Sequence, residues 1–354
     1  MSDTIASHID LNASAVRAAG RTIAINNRRY LGNKYRLLPF IRRVVSEQCE
    51  GIGVLADLFA GTGAVSSAFP EYVLITNDLL YSNYISNLAW FGAEAYDLDK
   101  VREYILRYNA AQVGEDNYMS DNFSDTYFCR DDCRRIGFVR EDIERNYRSG
   151  ALNDRERALL ITALIYAMDR IAKTCGHYDA YRRCAEFDAH LTLCVPEASN
   201  RNHPANRQYN GDANQLVRAI RADLVYLDPP YNSRQYGDCY HLLENVARWE
   251  KPQVFGVARK MDRTHLKSDY CTGEAPAAFS DLIRHTDARY ILLSYNNTGH
   301  KAHGRSNAKL TDEEILDVLS SKGRVEIFSQ AHRAFSAGLS RNTDNSERLF
   351  LCHC

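Results

Sequence analysis

Apolar positions along this chain fall into two kinds of run. Short unbroken ones recur as GVLADLF, YVLITND, ADLVYLD, RYILLSY, RVEIFSQ and ERLFLC. Unbroken apolarity over so few residues, rich in branched and aromatic types, predicts buried strands. Longer stretches carry the helical period: YLGNKYRLLPFIRRVV after a Gly-Asn turn, YSNYISNLAWFGAEAY, NDRERALLITALIYAMDRIAK, YHLLENVAR and TDEEILDVLSS. The third of these opens at a cap, Asn153 or Asp154, with Glu156 close behind. AGTGAVSSAF reads as a turn opening a further helix.

Strand alternating with helix argues for a doubly wound, mostly parallel sheet. The last two strands have no helical text between them, so AHRAFSAGLSRNTDNS becomes the long loop of an antiparallel hairpin at one edge. Between about Asp97 and Asn206 charge becomes dense and the strand texture vanishes. The expected fold class is therefore α/β: a Rossmann-like sheet with an antiparallel C-terminal hairpin and an inserted, mainly helical domain. The boundaries read from this pattern are 28–95 and 206–354 for the sheet domain, 96–205 for the insertion, and 1–27 for a lead-in.

Composition adds limits. The 354 residues are 45% hydrophobic and 25% charged, with a formal net charge of −1. That is ordinary globular usage, and overall charge points to no polyanion. Local charge differs: Arg28 to Arg43 holds six Lys/Arg and no acid, and Ser199 to Asn210 holds Arg201 and Arg207 with none. Such patches can hold phosphates even on a neutral protein. Ten cysteines lie scattered. Cys129-x-x-x-Cys133 and Cys352-His353-Cys354 lack a clean second ligand pair, so free thiols in a reduced, cytoplasmic protein are expected, and no metal. No run approaches the roughly 20 apolar residues needed to span a bilayer, and the opening residues lack the apolar core of a secretory segment.

Three stretches carry candidate chemistry. In VLADLFAGTGAVS a strand ends at Asp57, and Gly61-Thr62-Gly63 turns tightly. Glycines there let backbone approach a ligand. The third glycine of a dinucleotide fingerprint is replaced by Ser66, and a Gly-Lys-Ser/Thr phosphate cradle is absent, so the turn suits a cofactor without pyrophosphate, or is a plain structural turn. Asp78 ends the next strand, where an acid can take two ribose hydroxyls or cap a helix. Finally, LDPPYNSRQY ends an apolar strand with Asp228, two φ-locked prolines and Tyr231. Acceptors held rigidly beside a flat ring suit a planar group bearing an NH2, such as a base edge, which must leave the stack of a duplex to be reached.

These pieces together resemble the alpha-group, Dam-type DNA adenine N6-methyltransferases. RRYLGNKYRLLPFI, DLFAGTGAVS, NDLLYSNY, YNGDANQL, VYLDPPYNSRQY and NSERLFLC carry the resemblance, in the order that family uses. It covers roughly Arg28–Trp90 and Gln208–Cys354, with the middle matching only as an insertion in the expected place. The resemblance implies S-adenosylmethionine as cofactor. Tyr30, Gly32 and Lys34 would help hold its methionine end, Asp57, Phe59, Gly61 and Gly63 would form its main loop, Asp78 would take the ribose, and Asp212 would lie near its adenine. Asp228, Pro229, Pro230 and Tyr231 would form the catalytic tetrad. The insertion would read the target, with Arg182 and Arg183 in GHYDAYRR and Arg201 and Arg207 in SNRNHPANR as DNA contacts, joined by Arg333 and Arg341 in the late loop. The implied partners are double-stranded DNA and, in a restriction-modification setting, a cognate restriction endonuclease; no membrane is implied, and a monomer is expected. Methylation of adenine in RNA or of cytosine's amine in DNA, glutamine methylation in proteins, and a non-catalytic DNA-binding module are the competing readings.

Overall fold

A computed structural model describes residues 21–182, 186–187, 190–296, 308–331 and 346–354. Chain contacts divide it into two units.

The first unit is a sheet unit of residues 34–80, 209–236 and 265–354. Its strands are β1 (Val54–Asp57), β2 (Val73–Asp78), β3 (Arg207–Asn210, which the unit boundary cuts), β4 (Leu224–Leu227), β5 (Tyr290–Asn296), β6 (Arg324–Ala331) and β7 (Ser346–His353). They lie in the order β3-β2-β1-β4-β5-β7-β6. β1 runs parallel to both β2 and β4, and β4 parallel to β5, while β7 is antiparallel to β5 and β6. The doubly wound sheet and its antiparallel closing pair are thus present, with β7 slotted inside β6. The 332–345 link of that pair lies outside the described residues.

Strand text proved reliable because these strands are buried on both faces: Leu224, Val225, Tyr226 and Leu227 are all buried, as are Ile291, Leu292 and Leu293. Helix Ala275–His285 supplies Phe279, Leu282 and Ile283 to the same core, and Asp312–Ser320 supplies Ile315 and Leu319. Thr311 and Glu314 form a reciprocal cap at the start of the latter. The expected helix after the glycine turn is corrected to a single 3₁₀ turn, Ser66–Ala68. Pro70 follows at once and β2 begins at Val73, which leaves no length for a longer helix.

The second unit is helical and is assembled from three chain segments, 1–33 (described from 21), 81–208 and 237–264, rather than from one insertion. Helices Tyr81–Phe91 and His241–Arg248, read from sequence as part of the sheet domain, group here. The reason is helix Asp154–Ile171, whose run from Ala158 to Met168 is buried on every side. A helix apolar all round must be enclosed by others. Tyr81–Phe91, Leu98–Ala110, Arg130–Arg148 and His241–Arg248 all pack against it. It begins at Asn153, which exchanges caps with Glu156. Residues 21–27, expected to be a lead-in, include Thr22–Ile23 paired parallel with Val195–Pro196.

Buried charges in this unit close helix ends. Glu244 accepts hydrogen bonds from the backbone N–H of Tyr81 (2.9 Å) and Ser82 (2.8 Å), at the start of Tyr81–Phe91. Arg140 donates to the carbonyls of Val246 (2.9 Å) and Ala247 (3.1 Å), and Arg155 to those of Glu94 (2.8 Å) and Ser199 (2.6 Å). These are groups that a helix or loop end would otherwise leave unpaired. Among the described residues, no helix is long and apolar enough to cross a membrane.

Candidate active site

In the sheet unit, β1 and β4 are neighbours, with Asp57 opposite Tyr226. Winding reverses between them: the chain goes from β1 toward β2 on one side and from β4 toward β5 on the other. Open α/β sheets bind ligands at the carboxyl ends of strands flanking such a reversal. Asp57 ends β1, and Asp228 follows β4 directly.

The turn after β1 is held from β2. Asn77 donates from Nδ2 to the carbonyls of Leu58 (3.0 Å) and Gly211 (3.1 Å), and its own carbonyl accepts from Ala60 N–H (2.9 Å). Asp78 Oδ2 accepts from Gly61 N–H at 2.8 Å, and Oδ1 from Leu80 N–H at 2.8 Å. Gly61 and Gly63 have φ of 52° and 83°, the left-handed region that disfavours side chains. Phe59 meets Tyr270 edge-on, centroids 5.1 Å apart. Asp212 caps the turn Ala213–Leu216 by accepting from Gln215 N–H at 3.0 Å. Asp78 and Asp212 therefore carry structural bonds at the positions where sequence placed ribose and adenine contacts.

Asp57 is buried. Its Oδ2 accepts from Ser66 Oγ at 2.9 Å; the Phe59 N–H also lies close to the carboxylate, but Oδ1 has no partner of full hydrogen-bond geometry among the described residues. Burial pushes its pKa up to about 7 against the Ser66 hydrogen bond, with the nearby charges of Asp228 and Asp78 adding to the rise. A buried carboxylate oxygen left unpartnered is costly and suits a cationic donor. An α-ammonium is such a group, so the residues present fit an amino-acid-bearing methyl donor.

Lys34 organises the other acid. Its ammonium lies 2.9 Å from Asp228 Oδ1 and 3.3 Å from Glu347 Oε1, and Glu347 Oε1 also accepts from Ser294 Oγ at 3.1 Å. Burial opposes the Lys34 charge, but Asp228 and Glu347 outweigh it and raise its pKa above the ordinary lysine value. For Asp228, burial dominates and lifts the pKa to about 6 despite Lys34. The Asp228 side chain keeps 18% exposure. Beside it, Tyr231 is fixed at both ends: its ring meets Tyr295 edge-on at 6.3 Å, and its carbonyl accepts from Lys309 N–H at 3.1 Å. Sequence reasoning assigned Lys34 to the cofactor and missed Glu347 as its second carboxylate. The only signal was Glu347 inside NSERLFLC, more than a hundred positions after Asp228.

Lys34, Asp57, Phe59, Gly61, Gly63, Asp78, Asp212 and Asp228 to Tyr231 all fall in the sheet unit. Tyr30 and Gly32 fall in the helical one. There Gly32, at φ 76°, turns the chain so that Asn33 N–H reaches the Tyr30 carbonyl at 3.2 Å. Tyr30 stacks on Tyr240 at 4.6 Å, and its Oη accepts from Asn83 at 2.9 Å. The basic run Arg28–Arg43 divides, with Arg29, Arg36 and Arg43 exposed and the other three engaged. Arg28 is buried against Asp169 (3.1 Å), Lys34 is buried in the site, and Arg42 pairs with Glu71.

Of the expected DNA contacts, Arg182, Arg201 and Arg207 are exposed on the helical unit. Arg207 also donates to the carbonyls of Pro204 and Asn206. Arg183, Arg333 and Arg341 lie outside the described residues. Cys129 Sγ donates to Asp132 rather than meeting Cys133.

Comparisons with known proteins bear on the family of the chain. The model of the D12 class N6 adenine-specific DNA methyltransferases matches residues 30–301. The chain is 34% identical over 351 residues to modification methylase StsI of Streptococcus sanguinis, covering 91% of this chain and 51% of that one. It is 33% identical over 319 residues to type II methyltransferase M.FokI of Planomicrobium okeanokoites, covering 85% and 48%. Type II methyltransferase M.NlaIII of Neisseria lactamica is 29% identical over 328 residues, with 89% and 95% covered. The chain thus spans about half the length of the first two relatives and nearly all of the third. A methyltransferase of this kind needs a methyl donor. The chain belongs to the D12 class N6 adenine-specific DNA methyltransferase family.

Proposed function

We propose that this protein is an S-adenosylmethionine-dependent, site-specific DNA methyltransferase of the Dam-type alpha group, which methylates the exocyclic N6 of an adenine flipped out of a duplex, in a restriction-modification setting. The observation that carries this reading is the Asp228-Pro229-Pro230-Tyr231 turn beside the unpartnered carboxylate oxygen of Asp57, at the end of adjacent strands.

The N6 lone pair is delocalised into the purine ring, which makes the nitrogen a poor nucleophile. The Asp228 carboxylate and Pro229 carbonyl accept its two hydrogens and favour a pyramidal nitrogen with an available lone pair. When bound, S-adenosylmethionine supplies an electrophilic methyl group on a sulfonium sulfur. Asp228 then opposes the positive charge that grows on N6, an interaction stronger in the transition state than in the ground state. The proton becomes acidic only as the new bond forms, so Asp228 need not be a strong base. Lys34 keeps Asp228 charged and fixes which oxygen remains for the substrate. Tyr231, braced by Tyr295, holds the purine face-on. Asp57 takes the donor's ammonium, and the Gly61–Gly63 turn lets backbone approach it closely.

The helical unit reads the target. Arg182 and Arg201 offer phosphate or guanine contacts from exposed loops, and Arg207, Arg183, Arg333 and Arg341 extend that set. The test is transfer of a labelled methyl group to duplex DNA and to RNA of the same sequence, followed by digestion to nucleosides. Label in N6-methyladenine from DNA supports the reading. Label confined to RNA, to cytosine or to protein replaces it with one of the competing activities.

A further inference from the structure

Two large apolar side chains, Phe255 (58% exposed) and Val257 (65%), stand further into solvent than the other exposed large apolar residues described. Both lie on one turn. Phe255 and Lys260 exchange backbone hydrogen bonds at 2.8 and 2.9 Å, and Arg259 N–H reaches the Gly256 carbonyl at 3.2 Å. Gly256 and Arg259 take left-handed φ of 70° and 50°, which makes the turn tight.

A loose loop could fold these side chains back, but this one is pinned. Buried Tyr127 donates from Oη to the Ala258 carbonyl at 2.8 Å, and Tyr118 to the Pro252 carbonyl at 2.6 Å. The Lys260 ammonium bonds Asp179, and Arg263 bonds Asp238 at 2.7 Å. Asp179 belongs to GHYDAYRR, the stretch that also carries exposed Arg182. Arg259 is exposed beside the apolar pair and makes no ion pair with a described residue. Singly exposed apolar residues are ordinary on any surface. Here two are held out on a braced tip next to a cation with no acidic partner among the described residues, a combination that matches a duplex: apolar wedges enter a base step while cations meet the phosphates.

We propose that Phe255, with Val257, is a wedge that enters the base stack of bound duplex DNA, with Arg259 on the adjoining phosphate, and so stabilises the duplex opened by extrusion of the target adenine. This rests on the DNA-methylating reading above. The wedge makes no covalent step; it offsets the stacking that the flipped base gives up.

The test uses the full chain with sheared duplex and plasmid DNA. In Phe255→Trp, titration with duplex DNA should quench the new indole well beyond the change in wild-type protein, whose Trp90 and Trp249 are buried. In Phe255→Ala/Val257→Ala, kcat/KM on plasmid DNA should fall roughly tenfold, with cofactor affinity unchanged, and Phe255→Leu should restore most of it. An unquenched indole, or a double alanine variant as active as wild type, overturns the wedge while leaving the methyltransferase reading standing. A wild-type protein that labels no duplex overturns both. If the double variant does not fold, the indole titration alone decides.

Discussion

The Lys34 ammonium lies 2.9 Å from Asp228 Oδ1, although the two come from different chain segments of the sheet unit. The pair links a residue at the start of that unit to the acid at the end of β4. With Glu347 as a third member, one buried cation serves two carboxylates. This arrangement keeps Asp228 ionised near neutrality in surroundings that would otherwise favour its protonated form.

The first prediction concerns pH. Asp228 has a pKa raised to about 6 chiefly by burial, so its carboxylate is the major form above pH 6 and is lost below it. Methyl transfer should fall on the acid side with a limb near pH 6. Removing the cation in Lys34→Met leaves burial and Glu347 unopposed, so the limb should move upward by about 1–3 pH units. The kcat/KM profile between pH 5 and 9 checks this; an unmoved limb means Lys34 does not tune Asp228.

Cofactor binding should move a proton. Asp57, with a pKa raised to about 7, is partly protonated at neutral pH before its unpartnered oxygen meets an ammonium. A cation there lowers the pKa, so binding expels a proton and affinity rises from pH 6 to pH 8. Calorimetry in buffers of different ionisation enthalpy reads the proton count. Asp57→Asn should abolish the release and weaken binding.

The glycine turn has a backbone reason for its composition. Gly63, at φ 83°, would force a side chain into the left-handed region. Gly63→Ala should lower unfolding stability by about 1–2 kcal/mol in a urea titration. It should also weaken cofactor binding more than it slows transfer from the bound complex.

Arginines of the helical unit should separate into two groups. Arg140 is buried with its guanidinium on two helix-end carbonyls and Glu144. Arg140→Ala should cost about 3 kcal/mol or more of stability, because the two helix-end carbonyls lose their donor and the buried guanidinium leaves a cavity, while Glu144 keeps Arg157. Arg182→Ala and Arg201→Ala should leave stability unchanged and reduce the salt dependence of DNA binding by about one counterion each.

The strands were legible because burial on both faces writes continuous apolar text, as in ADLVYLD. The Asn153 cap was legible because Asn153 and Glu156 are local. The site's ends were legible for a similar reason: Asp57, Gly61, Gly63 and Asp228 to Tyr231 are short, dense motifs at strand ends. Long-range pairings were not. Nothing in LGNKYR says that Lys34 will reach Asp228, or that Glu347 will join them, since only the sheet order brings β4, β5 and β7 into line. Which helices group with the helical unit was not legible, because membership depends on what the buried helix Asp154–Ile171 recruits, and two of its partners come from elsewhere in the chain. Two members of the basic run were illegible for a related reason: Arg28 and Lys34 face inward to acids distant in sequence, while Arg29, Arg36 and Arg43 stay exposed.

In the proposed mechanism Asp228 acts on the amine and not on the cofactor. Asp228→Asn in a single-turnover methyl-transfer assay on duplex DNA, with cofactor affinity measured alongside, tests it directly. The account predicts transfer slowed by at least about a hundredfold with cofactor affinity largely retained. Cofactor affinity lost, with normal transfer from whatever fraction stays bound, would contradict it.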